Sequence, residues 1–134
     1  MTTDADSGII TFSSPWSFTE TVERIEAALQ AKKIKLFVHI DQAAEAKAAG
    51  LTLRPTVLLI FGDPSKGTPL MDSHPKLAMD LPLKALIWEA GPSEVYIGLN
   101  SPEFLQERYN LPAAPFAEVI RLFGALVDAG KNPK

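Results

Sequence analysis

The sequence contains no cysteine. Disulfide frameworks, cysteine-ligated zinc, iron–sulfur clusters and thiol nucleophiles are therefore excluded. Histidine is nearly as scarce, with two in 134 residues. His39 and His74 lie far apart along the chain, and without cysteines both read as surface residues, not metal ligands. No apolar run approaches the roughly 20 residues that cross a bilayer. The 13 Lys+Arg against 16 Asp+Glu give a net charge of −3, and the basic residues form no stripe. Nucleic-acid binding is not expected from such a pattern. The opening residues, Met1-Thr2-Thr3-Asp4-Ala5-Asp6, offer neither the basic region nor the apolar run of a secretory signal. A cytoplasmic location without membrane contact is the expectation.

What is present suffices for one globular unit. A chain of 134 residues, 46% hydrophobic and 22% charged, can bury a core without metal or disulfide staples. The expectation is a single domain over 1–134, with its core over about 9–129 and polar termini.

Local patterns set the element order. Residues 9–12 form a short apolar run that predicts a first strand. Ser17-Phe18-Thr19-Glu20 matches a capping box, and Phe18, Val22, Ile25 and Leu29 follow at helical spacing to about Lys33. Leu36, Val38 and Ile40 alternate with Lys35, Phe37 and His39, the period of a strand. Asp41 is placed to cap an alanine-rich helix over 42–49, ended by Gly50 in a left-handed conformation. Residues 53–61 carry no polar side chain after Thr56, which predicts a strand central in the sheet and covered on both faces. Asp63-Pro64 reads as the cap and first residue of a short helix towards Met71. Residues 72–80 read as irregular. Residues 83–88 and 95–99 are two strands of a hairpin turning at Ala90-Gly91-Pro92-Ser93. Ser101-Pro102 opens a helix ending at Asn110, and Phe116, Val119, Ile120, Phe123, Leu126 and Val127 stripe the last helix. The order β-α-β-α-β, a short helix, β-β-α-α predicts an α/β domain of two layers, α+β in kind. Its mixed sheet would have about five strands, with the helices mainly on one face.

Several of these segments also carry a family resemblance. Ile40-Asp41, Ala43-Ala44, Gly50-Leu51, Leu53-Arg54-Pro55-Thr56 and Leu59-Ile60-Phe61-Gly62 occur in order. They continue with Pro64, Gly67-Thr68-Pro69-Leu70-Met71, Asp80-Leu81-Pro82-Leu83-Lys84 and Pro102. The chain resembles the DUF302 family of small bacterial and archaeal proteins from about residue 19 to 111. The resemblance implies a compact α/β domain that forms dimers, and it implies no reaction. It also implies that this chain departs from the family at four places. Gln42 stands where a histidine is common, Asp63 where asparagine is usual, Leu99 where a tyrosine is common, and a helix-ending glycine is replaced near Lys33.

The chemistry-bearing residues gather at the end of the strand over 53–61. Gly62-Asp63-Pro64-Ser65-Lys66-Gly67-Thr68 has nearly the spacing of a phosphate loop, but Thr68 stands where that motif needs lysine, and Pro64 lacks an N–H. Gly62, Asp63, Lys66, Gly67, Thr68, Met71 and Lys84 are the candidate ligand-binding residues. Asp63, Lys66 and Asp80 are the candidates for catalysis, although Asp63 also fits a helix cap and Asp80 a turn. Leu86, Trp88 and Tyr96 are the candidate interface, because both faces of the strand over 83–88 are apolar. No metal site and no cofactor are expected. The leading expectation is a non-enzymatic, homodimeric binding or accessory protein for a small molecule or partner protein. The alternative is an enzyme using Asp63, Lys66 and Asp80, and nucleic-acid binding stands third.

Overall fold

Side-chain caps start the helices where the sequence places them. Ser17 accepts the N–H of Glu20 and opens α1 (Phe18–Ala31), while the Glu20 carboxylate turns to Arg24 at 2.7 Å instead of closing the reciprocal half of the box. Asp41 accepts the N–H of Ala44 and opens α2 (Gln42–Ala48), and Asp63 accepts that of Ser65 and opens α3 (Pro64–Ser73). Ser101 does the same for α4 (Pro102–Tyr109). The ends are equally local. Gly50 takes φ +79° after α2, with the N–H of Leu51 donating to the carbonyl of Ala46 at 2.8 Å. After α1 the same left-handed position is held by Lys33 at φ 58°, and after α4 by Asn110 at φ 53°.

The computed structural model describes residues 2–4, 8–113 and 116–131. Besides those helices it contains β1 (Thr2–Asp4), β2 (Ile9–Ser13), β3 (Lys35–Asp41), β4 (Thr56–Gly62), β5 (Leu83–Gly91), β6 (Glu94–Asn100) and α5 (Ala117–Lys131). The stretch expected to be irregular holds a turn of 3-10 helix, Pro75–Met79. The strands form one six-stranded sheet in the order β1-β2-β6-β5-β4-β3. The two-layer α+β architecture is the one expected, but the sheet is antiparallel at every pairing and not mixed. The short helix between β3 and β4 is the reason. α2 buries none of its seven residues, so it does not form the packed helical layer of a parallel crossover. β3 therefore returns to β4 as an antiparallel neighbour, and α1 carries the chain from β2 across the sheet to its far edge.

The same arrangement moves β4 away from the centre. It lies second from the β3 edge, with only one face fully covered: Val57, Leu59 and Phe61 are buried, whereas Leu58 and Ile60 are half-buried. β3 also departs from simple alternation. A bulge between Leu36 and Val38 pairs Leu36 with Phe61 and Val38 with Ile60, so Leu36 faces the helices while Val38 and Ile40 face the other way.

α1 and α5 pack over one face of the sheet. Val22, Ile25 and Leu29 of α1 and Val119, Phe123 and Val127 of α5 meet the buried residues of β2, β4, β5 and β6. The rings of Phe61 and Phe123 lie 5.9 Å apart at the centre of this core. Its one buried polar pair, among the described residues, is satisfied internally: the hydroxyls of Ser14 and Thr21 are 2.6 Å apart. No helix among the described residues is long and apolar enough to cross a membrane.

Candidate functional site

β4 ends on Gly62, and the chain turns at once into α3. Asp63 sits in that turn with one carboxylate oxygen, Oδ1, engaged by the cap. It accepts the N–H of Ser65 at 3.0 Å and the Ser65 hydroxyl at 2.6 Å. These bonds, the hydroxyl's foremost, hold the Asp63 carboxyl below its ordinary range, with Lys66 adding to the effect. A carboxylate stabilised in its charged form is a poor proton acceptor.

Two clefts open beside this turn. The larger, about 480 Å³, lies between the end of β4, the residues after α1 and the first turns of α5. Ile34, Phe61, Leu83, Val119 and Leu122 form its apolar wall, and Lys32, Lys66 and Arg121 stand on it together with Asp63 and Glu118. The second, about 310 Å³, lies on the α3 side and is lined by Phe37, Gly67, Thr68, Met71 and Pro82 among others. Gly62, Asp63, Leu83 and Phe116 line both.

Phe116 is the one aromatic residue shared by both linings. The sequence places it in the last helix, but α5 begins at Ala117, and Phe116 precedes it with φ 63°. That conformation is uncommon for a bulky residue, and it sets the ring against both clefts.

Glu118, in the first turn of α5, receives Lys66 from α3 at 3.1 Å. Its pKa is lowered from the ordinary value, first by its own backbone N–H and then by Lys66, against an opposing effect of burial. Both carboxylates at the cleft thus make contacts within the protein, Asp63 through one oxygen only.

The structure brings Gly62, Asp63, Lys66, Gly67, Thr68 and Met71 together around these clefts. Asp80 and Lys84 line neither. Asp80 ends the 3-10 turn and is held by Arg108 at 3.0 Å and by the Tyr109 hydroxyl, both from α4. That contact raises the pKa of Tyr109, first through the hydrogen bond to Asp80. Lys84 points from β5 to the face opposite α1 and α5, where its strand position pairs with Ile60. The interface candidates stand together on that face: Trp88 pairs with Tyr96, their rings 5.4 Å apart, and Leu86 lies two residues along β5.

His39 and His74 stay apart. His39 contacts Glu26 of α1, and His74 its neighbour Ser73. No group of three or more His, Asp or Glu among the described residues is disposed to hold a metal ion. Lys32, Phe116, Glu118 and Arg121 were not legible as site residues. They come from helix ends about 30 residues before and 55 after Asp63, and only the fold brings them to the cleft.

Comparison with known proteins adds the family. The model of "Domain of unknown function DUF302" matches residues 10–129. The chain belongs to the DUF302 family. Among solved structures, an uncharacterised conserved DUF302 protein from Bacillus stearothermophilus superposes with a TM-score of 0.75 at 21% identity. That likeness covers 90% of this chain and 96% of the other, and it shows the shared fold. Curated relatives named fluoride-specific ion channel FluC 1, from Brucella suis and Brucella abortus, are each 42% identical over 106 residues. The match takes in 79% of this chain but only 42% and 39% of theirs. This DUF302 chain therefore spans about two fifths of the length of the curated relatives it matches.

Proposed function

We propose that this DUF302 chain is a non-enzymatic, cytoplasmic binding or accessory domain that holds a small molecule in the cleft beside the end of β4 and works as a homodimer. The observation that carries the reading is the character of that cleft. A space of about 480 Å³ with an apolar wall falls within the range of small-molecule sites. Its two carboxylates serve the fold, one as a helix cap and one in an ion pair. A cleft whose two carboxylates are both stabilised in the charged form, and so are weak bases, suits binding better than proton transfer. The enzymatic alternative on Asp63, Lys66 and Asp80 draws less support, because Asp80 is tied to α4 outside both clefts.

The accessory part of the reading draws on the relatives. In polypeptides named as fluoride-specific channels, a segment like this chain makes up about two fifths of the length, which favours a supporting role beside another module. The homodimer draws on Leu86, Trp88 and Tyr96, half-buried neighbours on the sheet face away from α1 and α5. Aromatic residues of this kind are enriched at interfaces.

The test is a thermal-shift screen of the purified chain across organic acids, inorganic anions, nucleotides, haems and metal salts, joined to light scattering at low micromolar concentration. A ligand at 100 times its Kd adds about 2.7 kcal/mol of stability. One chemical class is expected to raise Tm by several degrees, and the scattering mass is expected to be twice that of the chain. A flat screen overturns the binding reading, and a monomer at every concentration overturns the dimer.

A further inference from the structure

We propose that the larger cleft takes an organic monoanion, a compact apolar body carrying one carboxylate, with Arg121 and Lys32 receiving the charge. The proposal rests on the reading of this cleft as a binding site and names the class of ligand.

The wall sets the body of the ligand. Phe61 and Leu83 close the inner side, and Ile34, Val119 and Leu122 stand around it. An apolar group that leaves water for this wall is favoured in proportion to the area it buries. An ion without an apolar body would leave that wall wet.

The charges set its head. Three cations, Lys32, Lys66 and Arg121, face two carboxylates, Asp63 and Glu118. One oxygen of Asp63, Oδ1, accepts both bonds from Ser65, and Glu118 is paired with Lys66. Among the described residues the side chains of Lys32 and Arg121 have no hydrogen bond or ion pair, and Arg121 reaches Glu118 only as a longer-range attraction. Three cations against two carboxylates leave the lining of the cleft net positive. A guanidinium beside an apolar wall suits a carboxylate, which it can grip with two parallel hydrogen bonds. A cationic ligand would meet Lys32 and Arg121, with only the second oxygen of Asp63 to answer it.

The experiment compares three probes of one shape, 1-naphthoate, 1-naphthalenemethanol and 1-naphthylmethylamine, by calorimetric titration of the full chain. Naphthoate is expected to bind at least tenfold more tightly than the alcohol, and the amine most weakly. Arg121→Gln is expected to remove most of the acid's advantage while leaving the alcohol's Kd within twofold, with Lys32→Gln acting in the same direction. Both side chains are exposed, and unchanged Tm values for the free variants exclude misfolding. Ala125→Trp, which fills the mouth of the cleft, is expected to weaken all three probes. If alcohol and acid bind alike, or the amine binds best, the ligand class is wrong and the binding cleft stands. If naphthoate keeps its advantage in both Gln variants, the assignment of Arg121 and Lys32 is wrong. If none of the three probes binds, the cleft reading itself falls, and this inference with it.

Discussion

Lys66 at the start of α3 and Glu118 at the start of α5 meet at 3.1 Å across the mouth of the larger cleft, 52 residues apart in the chain. Both side chains are about half exposed, so their contact is worth less than about 1 kcal/mol. Its consequence is chemical, because Glu118 holds a cation that an incoming anion would otherwise meet. Glu118→Gln is expected to leave Tm within about 3 °C of the parent and to tighten naphthoate binding a few-fold. Calorimetric titration of the variant checks this. Weaker binding of the acid would show that Glu118 helps to seat the ligand.

The same carboxylates fix the sign of the acid response. Asp63 and Glu118 both have folded-state pKa values below their ordinary ones. Their contribution to stability is complete above the unfolded range near pH 4 and is lost as pH falls through the depressed folded values. Melting curves should be flat from pH 7 to 5 and decline below about 4. Asp63→Asn, which keeps a capping oxygen but cannot titrate, is expected to make that decline shallower.

Tyr109 gives a response on the alkaline side. Its hydroxyl donates to Asp80, and the contact raises its pKa above the ordinary phenol value. The stabilising contact is intact below the unfolded-state pKa near 10 and is lost as pH rises through the higher folded value. The chain has two tyrosines, and the Tyr109 phenolate should form in a late phase of the absorbance, above the ordinary phenol range. The late phase is expected to vanish in Tyr109→Phe and to move to lower pH in Asp80→Asn. A late phase that survives in Tyr109→Phe would assign it to Tyr96.

Lys33 occupies a position that a glycine would fill at lower cost. At φ 58° it closes α1, with its N–H on the carbonyl of Gln30 and that of Ile34 on Leu29. A left-handed residue with a Cβ costs about 1–2 kcal/mol, and part of that returns when glycine's freer unfolded chain is counted. Lys33→Gly is expected to raise stability by about 1 kcal/mol, or about 4 °C in Tm. Gly8 is the converse case: at φ +71°, a Cβ there would lie 2.5 Å from the ring of Phe104. Gly8→Ala is expected to cost at least 2 kcal/mol, judged by strain and overpacking together. Urea unfolding measures both.

These examples show what kind of information the sequence exposes. Caps and terminators are decided within four or five residues, so Ser17, Asp41, Asp63, Ser101 and Asn110 were legible before any fold was known. Strand order is decided by pairing between distant segments. The unbroken apolar run in β4 therefore suggested a central strand, although the fold sets it beside the β3 edge. One extra residue in β3, invisible to a period-two pattern, turned Leu36 and Val38 to opposite faces. The turn after β4 was legible as half of a cleft. The other half comes from Lys32, Phe116, Glu118 and Arg121 at the ends of distant helices, where each residue taken alone reads as a solvated charge or a core aromatic.

Phe116 offers the sharpest test of how the two clefts relate. Its ring lines both, and its backbone holds φ 63°. Phe116→Gly removes two things of opposite sign. Relief of the left-handed backbone gains about 1 kcal/mol, and loss of a partly buried ring costs about 1–2 kcal/mol. Stability is therefore expected to change little, whereas the partition between the clefts disappears. A larger acid such as 1-pyrenecarboxylate should bind the variant at least fivefold more tightly than the parent, while naphthoate, deprived of the ring's contact, should bind it more weakly. A variant that weakens for both acids alike would mean that the clefts remain separate, and that Phe116 serves as wall and not as partition.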